Sequence, residues 1–198
     1  MKELHFLRKI KSVAFATVEN GLPRVRIADV MLIEDDKIYF TSARGKSFYR
    51  QLIQNKYVAL SGMDETYKAI RVSGPVELVG REYVDKIFEA NPMMNDLYAG
   101  EKRDILDAFC MYRGKSEIFD LSVTPPVRER FAFGGEQVVP LGYHITDRCV
   151  ACGVCKESCP EHAISVGGIY KIEPSICLEC GRCYEVCPHN AIETQKLF

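Results

Sequence analysis

Eight of the nine cysteines fall in two runs in the last quarter of the chain. The first is Cys149-x2-Cys152-x2-Cys155-x3-Cys159 and the second is Cys177-x2-Cys180-x2-Cys183-x3-Cys187, closed by Pro160 and Pro188 respectively. Thiolates are soft, polarisable and negatively charged, so they suit thiophilic metals and offset much of the charge of ferric iron. Cys-x2-Cys pairs also bind structural zinc, but zinc sites rarely use four cysteines at these offsets followed by proline. The repeat extends beyond the cysteines. Tyr143-His144-Ile145 and Tyr170-Lys171-Ile172 precede the two runs, and Ala163-Ile164 and Ala191-Ile192 follow them. Two copies of strand, cysteine loop and short helix are expected to pack as a pseudo-symmetric unit.

Over its whole length this segment resembles the two-cluster bacterial-type ferredoxins. The resemblance implies two [4Fe-4S] clusters with crossed ligands. Three cysteines on a tight loop reach one cluster, and the fourth, held by a proline-fixed backbone, points to the other. On that pattern Cys149, Cys152, Cys155 and Cys187 bind one cluster, and Cys177, Cys180, Cys183 and Cys159 bind the other.

The elements that position these residues must come mainly from the rest of the chain. Its 198 residues, 47% hydrophobic, suffice for one domain of ordinary size plus a small one. A net charge of -1 and a pI near 6.4 give no electrostatic footprint for nucleic acid. From Gly142 onward, 5 Lys and Arg stand against 7 Asp and Glu, a net of -2, which leaves +1 for residues 1–141. Fe-S ligation needs reduced thiols, so a cytoplasmic setting is expected. No apolar run approaches the roughly 20 residues of a membrane span. The start reads as a short amphipathic helix with Leu4, Leu7 and Ile10 on one face rather than a leader. Cys110, the ninth cysteine, reads as a buried apolar residue, and His5, His144, His162 and His189 read as surface residues.

Along the chain, Ser12–Val18 is a strand, Asn20-Gly21 a hairpin turn, and Arg24–Ile33 the return strand. Asp35-Asp36 turn the chain into a third strand, Lys37–Thr41, suggesting a meander. Lys46–Asn55 is expected to be a helix with Phe48, Leu52 and Ile53 on its buried face. Strands follow at Tyr57–Ser61 and Tyr67–Val79, the latter broken or bulged at Gly74-Pro75. Helices are expected from Arg81, over Met94–Ala99 and over Ile105–Cys110, with a last strand at Glu117–Val123 ended by Thr124-Pro125-Pro126. Val127–Gln137 reads as a connector. The fold class is α+β: a six-stranded antiparallel split β-barrel with flanking helices over residues 1–141, then a small two-cluster ferredoxin-type domain over 142–198.

Residues 12–79 carry a second resemblance. Gly21-Leu22-Pro23-Arg24-Val25-Arg26, then Ile38-Tyr39-Phe40-Thr41-Ser42, then Lys46 and Leu52 leading to Asn55-Lys56-Tyr57-Val58-Ala59, follow the order of the FMN-binding split-barrel family that includes pyridoxamine 5'-phosphate oxidases and related flavin reductases. The resemblance implies FMN, a homodimer with the flavin in a shared cleft, and cofactor contacts from Arg24, Val25, Arg26, Thr41, Ser42, Lys46 and Ser47. The residue chemistry agrees, because a flavin phosphate is dianionic. Arg24 and Arg26 share a strand face, Thr41 and Ser42 offer hydroxyls, and Lys46-Ser47 open a helix whose free N–H groups favour an anion. The resemblance also implies that the second subunit contributes groups to the flavin ring, for which Tyr98, Tyr112, Arg128, Arg130 and Phe131 are candidates. Gly45-Lys46-Ser47 imitates a P-loop tail, but Phe40 stands where that motif needs glycine. The pyridoxamine phosphate oxidases proper carry a C-terminal substrate segment that the cysteine region replaces here.

Clusters pass single electrons and flavins handle one or two. The expectation is an FMN-dependent oxidoreductase acting on a small-molecule substrate, wired by its clusters to a redox partner protein or reduced ferredoxin. The alternative is an electron carrier or redox sensor whose barrel docks a partner or holds a deazaflavin or haem.

Overall fold

The computed structural model describes residues 1–124, 126–138 and 142–194. Pro125 and the expected domain boundary at Pro140-Leu141 lie outside the described residues. The described chain forms two compact units. One comprises Met1–Glu65, Ala69–Glu117 and Phe131–Gln137, and the other Thr66–Lys68, Ile118–Arg130 and the described residues from Val138 onward.

Helix α1 (Lys2–Ile10) buries Leu4 and Leu7, one turn apart. Strand β1 (Ser12–Glu19) buries Val13, Phe15 and Thr17 in alternation. Asn20 and Gly21, both at positive φ, make the tight turn into β2 (Leu22–Asp29), which pairs along its whole length with β1. The expected single return strand is two strands. After Val30, β3 (Leu32–Glu34) turns at Asp35-Asp36 into β4 (Lys37–Ala43). Then come α2 (Ser47–Asn55), β5 (Tyr57–Met63), β6 (Lys68–Val79), α3 (Arg81–Ala90), α4 (Met93–Leu97), a 3-10 turn (Gly100–Ile105), β7 (Leu106–Met111), β8 (Gly114–Asp120) and β9 (Val127–Phe133).

Among the described residues the sheet has nine strands, ordered β2-β1-β5-β6-β7-β4-β3, with β8 paired to β6 and β9. That is three more than expected. The expected meander is absent, since β2 lies at one end of this order and β3 at the other. The segment expected as a third helix, Ile105–Cys110, is mostly β7, a central strand hydrogen-bonded to both β4 and β6. The expected connector holds β9. Gly74-Pro75 does not break β6, which runs through both residues opposite β5.

Four strand spacings, about 19 Å when flat, separate β1 from β4 in this order. Yet the Phe15 and Phe40 rings lie 4.9 Å apart. The sheet is therefore curled into a barrel, with Phe15, Phe40 and Phe48 in mutual contact inside it and Phe109 stacked on Phe40. The opposite face of β4 and β7 presents Tyr39, Ala43, Ala108 and Cys110 to Val84, Ile87 and Phe88 of α3 and to Met94 of α4. Ile53, expected on the buried face of α2, is exposed, and Gln51 is buried in its place.

The second unit carries β10 (Tyr143–Ile145), α5 (Val154–Glu157), β11 (Ile164–Ser165), β12 (Lys171–Ile172), α6 (Arg182–Val186) and β13 (Ile192–Thr194). β10 pairs with β13 and β11 with β12, both antiparallel.

Candidate functional site

The internal repeat of the cysteine region is written into its backbone at an offset of 28 residues. Ala151 and Glu179 have φ of 55° and 56°, Gly153 and Gly181 88° and 80°, and His162 and Asn190 53° and 48°. The first two pairs wrap each loop tightly before α5 and α6, and the third turns the chain after the helix. The wrapping aims backbone N–H groups at sulfur. Ala151 donates to Cys149 Sγ and Glu179 to Cys177 Sγ, each at 3.4 Å, while Ala163 donates to Cys159 Sγ and Ala191 to Cys187 Sγ, each at 3.3 Å. Such bonds stabilise thiolates and tune bound clusters.

The cysteines line two cavities. One is lined by Cys149, Cys152, Cys155 and Cys187 with Tyr170. The other is lined by Cys177, Cys180, Cys183 and Cys159 with Tyr143. Each cavity thus takes three cysteines from one half and the fourth from the other, and each is covered by the tyrosine preceding the opposite run. Gly181 is needed twice over. Its φ is positive, and an added Cβ would stand 2.9 Å from the Tyr143 hydroxyl. Burial pushes the thiols of Cys155 and Cys177 up, and that of Cys183 to about 11. Ionising these thiols at neutral pH needs a cationic partner, which bound iron supplies. Among the described residues no three His, Cys, Asp or Glu side chains converge on a single-ion point. Four thiols line each cavity, a donor set that fits Fe-S ligation.

One group in this unit had no sequence signal. Glu179 accepts hydrogen bonds from Arg128 Nη1, from Arg130 Nη2 at 3.0 Å and from the Gly142 N–H at 2.6 Å. Arg128 and Arg130, candidates for a flavin ring by sequence, are thus bound to the cysteine loop of their own unit. Arg128 also lies over the Phe119 ring.

In the barrel unit, the residues expected at the flavin phosphate are partly gathered. The register sets Arg24 opposite Thr17 and Arg26 opposite Phe15, so both arginines share the face of those buried residues. Arg26 donates to Thr17 Oγ1 at 2.6 Å and to Gln51 Oε1 at 2.7 Å, with its guanidinium 4.5 Å over Phe48. Both acceptors are neutral, and burial pulls this guanidinium below its ordinary value, with Glu19 opposing the shift. A partly desolvated cation bonded to neutral oxygens suits an anionic ligand. Lys46 caps the start of α2 and Ser47 opens it, at the same helix end as Phe48. Arg24 is instead tied to Glu19 at 3.1 Å.

Thr41 and Ser42 point to opposite faces of β4. Ser42 shares the Phe40 face, toward α2, and its buried Oγ has no partner among the described residues. An orphaned buried hydroxyl on this face fits a ligand that completes it. Thr41 shares the face of Tyr39 and Ala43, which meets α3. Val25 is exposed on the outer face of β2. Sequence reasoning missed Gln51 and Thr17, which orient Arg26. The signal available was a glutamine one position before Leu52 on an otherwise apolar helix face.

Residues 2–119 match the pyridoxamine 5'-phosphate oxidase family. The chain belongs to that family. Residues 154–198 match the LdpA Fe-S cluster-binding domain, so an Fe-S-binding domain follows the oxidase-family barrel. Over 34 residues the chain is 53% identical to a ferredoxin from Butyribacterium methylotrophicum, a match spanning 17% of this chain and 62% of that ferredoxin. Among solved structures, a NimC/NimA family protein from Clostridium acetobutylicum superposes with a TM-score of 0.60 at 28% identity, covering 67% of this chain and 90% of that one. PhzG from Burkholderia lata 383, solved with tetrahydrophenazine-1-carboxylic acid, gives 0.52 at 15% identity over 69% and 83%, a likeness of fold. An oxidase-family flavin-binding barrel and an Fe-S domain in one chain give this family member a redox role. Among the described residues no helix is long and apolar enough to cross a membrane.

Proposed function

We propose that this oxidase-family member is an FMN-dependent oxidoreductase in which two [4Fe-4S] clusters relay single electrons to or from the flavin, which reduces or oxidises a small-molecule substrate. The observation that carries this reading is the pair of four-cysteine cavities in the same chain as the flavin-family barrel. When bound, clusters supply one-electron transfer and a flavin converts it to two-electron chemistry. Cys149, Cys152, Cys155 and Cys187 hold one cluster, and Cys177, Cys180, Cys183 and Cys159 hold the other. Arg26, Lys46, Ser47 and the Ser42 hydroxyl supply the phosphate end of the FMN site, with Arg24 on the same strand face as Arg26; Val25 and Thr41 lie on other strand faces, outside it. Arg26 orients and neutralises the phosphate, and Gln51 and Thr17 hold Arg26 in place.

The chain works as a homodimer in the cytoplasm, exchanging electrons with a redox partner protein or reduced ferredoxin, and its domains divide at Gly142. Support for the dimer is the apolar outer face of edge strand β2, where Val25 and Ile27 are 68% and 70% exposed.

The test is cofactor content after anaerobic purification. Iron and acid-labile sulfide of about eight each per chain, with about one FMN, are expected. Iron without flavin after soaking with FMN would sink the enzyme reading and leave a carrier or sensor. Zinc in place of iron would overturn the cluster assignment.

A further inference from the structure

Arg128, Arg130 and Glu179 keep only 12%, 15% and 21% of their side-chain surfaces exposed. Two guanidinium groups converge on one carboxylate, which is fixed again by the Gly142 N–H. Glu179 lies between Leu178 and Cys180, both of which line the cavity of Cys159, Cys177, Cys180 and Cys183. Its own N–H bonds Cys177 Sγ. The corresponding residue of the first loop, Ala151, has the same left-handed φ and the same N–H···Sγ distance. The two loops therefore match in backbone at this position and differ in charge.

Burial decides how far that difference reaches. Arg148–Glu193 and Arg182–Glu185, two ion pairs beside the cysteine loops among the described residues, are about half exposed or more and are screened by water and salt. Glu161 also lines the second cavity and is partly exposed. The Arg128–Arg130–Glu179 triad lies mostly out of water, where a charge acts through a lower effective dielectric.

We propose that Arg128, Arg130 and Glu179 set the reduction potential of the cluster held by Cys159, Cys177, Cys180 and Cys183, separately from that of the other cluster. This rests on the two-cluster reading above. Reduction adds one electron to the cluster, so a nearby cation favours it and a nearby anion opposes it. Removing a guanidinium lowers the potential, and neutralising the carboxylate raises it.

The experiment is a potentiometric titration, followed by EPR, of full-length anaerobic protein as wild type, Arg130→Gln, Arg130→Lys and Glu179→Gln. Two one-electron transitions are expected. Arg130→Gln shifts one of them to lower potential, Glu179→Gln shifts the same one to higher potential, and Arg130→Lys leaves it near the wild-type value. The second transition stays in place throughout. A triad serving only packing would move both neutralising variants in one direction, or lower the iron content of Arg130→Lys and Arg130→Gln alike, and either result overturns the proposal. Equal movement of both transitions overturns it as well. About eight irons per chain with unmoved potentials defeats this inference alone, whereas about four defeats the two-cluster reading along with it.

Discussion

Arg26 brings a positive charge into a half-buried place and spends its hydrogen bonds on neutral Thr17 and Gln51. Replacing it by glutamine keeps polarity and removes the charge. Arg26→Gln is expected to weaken FMN binding by about 10- to 100-fold, the size of a lost charge-assisted contact. Titrating apo-protein with FMN and following the quench of flavin fluorescence checks this, and an unchanged affinity would put the phosphate elsewhere. At this scale the cysteines were legible because their spacing is itself the chemistry: four thiols at fixed offsets have little other use. Gln51 and Glu179 were not, because a lone polar residue has no spacing and its meaning comes from partners 25 or more residues away. The separation of Thr41 from Ser42 follows from the two-residue period of a strand. The expected strand Lys37–Thr41 runs up to both residues, so that period was available from the sequence.

At the scale of elements, β7 shows what periodicity leaves open. Leu106–Met111 is short and almost continuously apolar, and such a run fits a helix or a strand buried on both faces. Its non-local neighbours β4 and β6 decide the matter. β9 was hidden for a related reason, since Arg128 and Arg130 broke its apolar run and made it look like a connector. β1, β2, α2 and α3 were legible because a tight turn or an amphipathic stripe announces each one locally. The β6–β8 pairing depends on a close backbone approach. A Cβ on Gly74 would stand 2.2 Å from the Arg113 carbonyl oxygen, whereas one on Gly45 would meet nothing within 4 Å. Gly74→Ala is expected to lose about 1–3 kcal/mol, as overpacking commonly does. Gly45→Ala should melt close to wild type, and thermal unfolding followed by circular dichroism compares the two.

For the whole molecule, the fold class followed from the sequence, but the strand order did not. β1 meets β5 and β4 meets β7 across long stretches of chain, and no local pattern encodes those pairings. The exposed valine and isoleucine of β2 set a further expectation at this scale. The double substitution Val25→Glu with Ile27→Glu places two charges on the outer face without touching the core, so the fold is retained and the dimer is lost. Sedimentation velocity should show wild type as a dimer and the variant as a monomer; a wild-type monomer would remove the shared-cleft arrangement.

The crossed cavities of the cysteine unit also govern how it wears out. Each draws three thiols from one half and one from the other. On the proposed two-cluster reading, oxidising Cys159 alone would disable the cavity formed by the later run, and oxidising Cys187 alone the one formed by the earlier run. Neither half can serve as a spare for its twin, and repair by keeping one good half is closed to this chain.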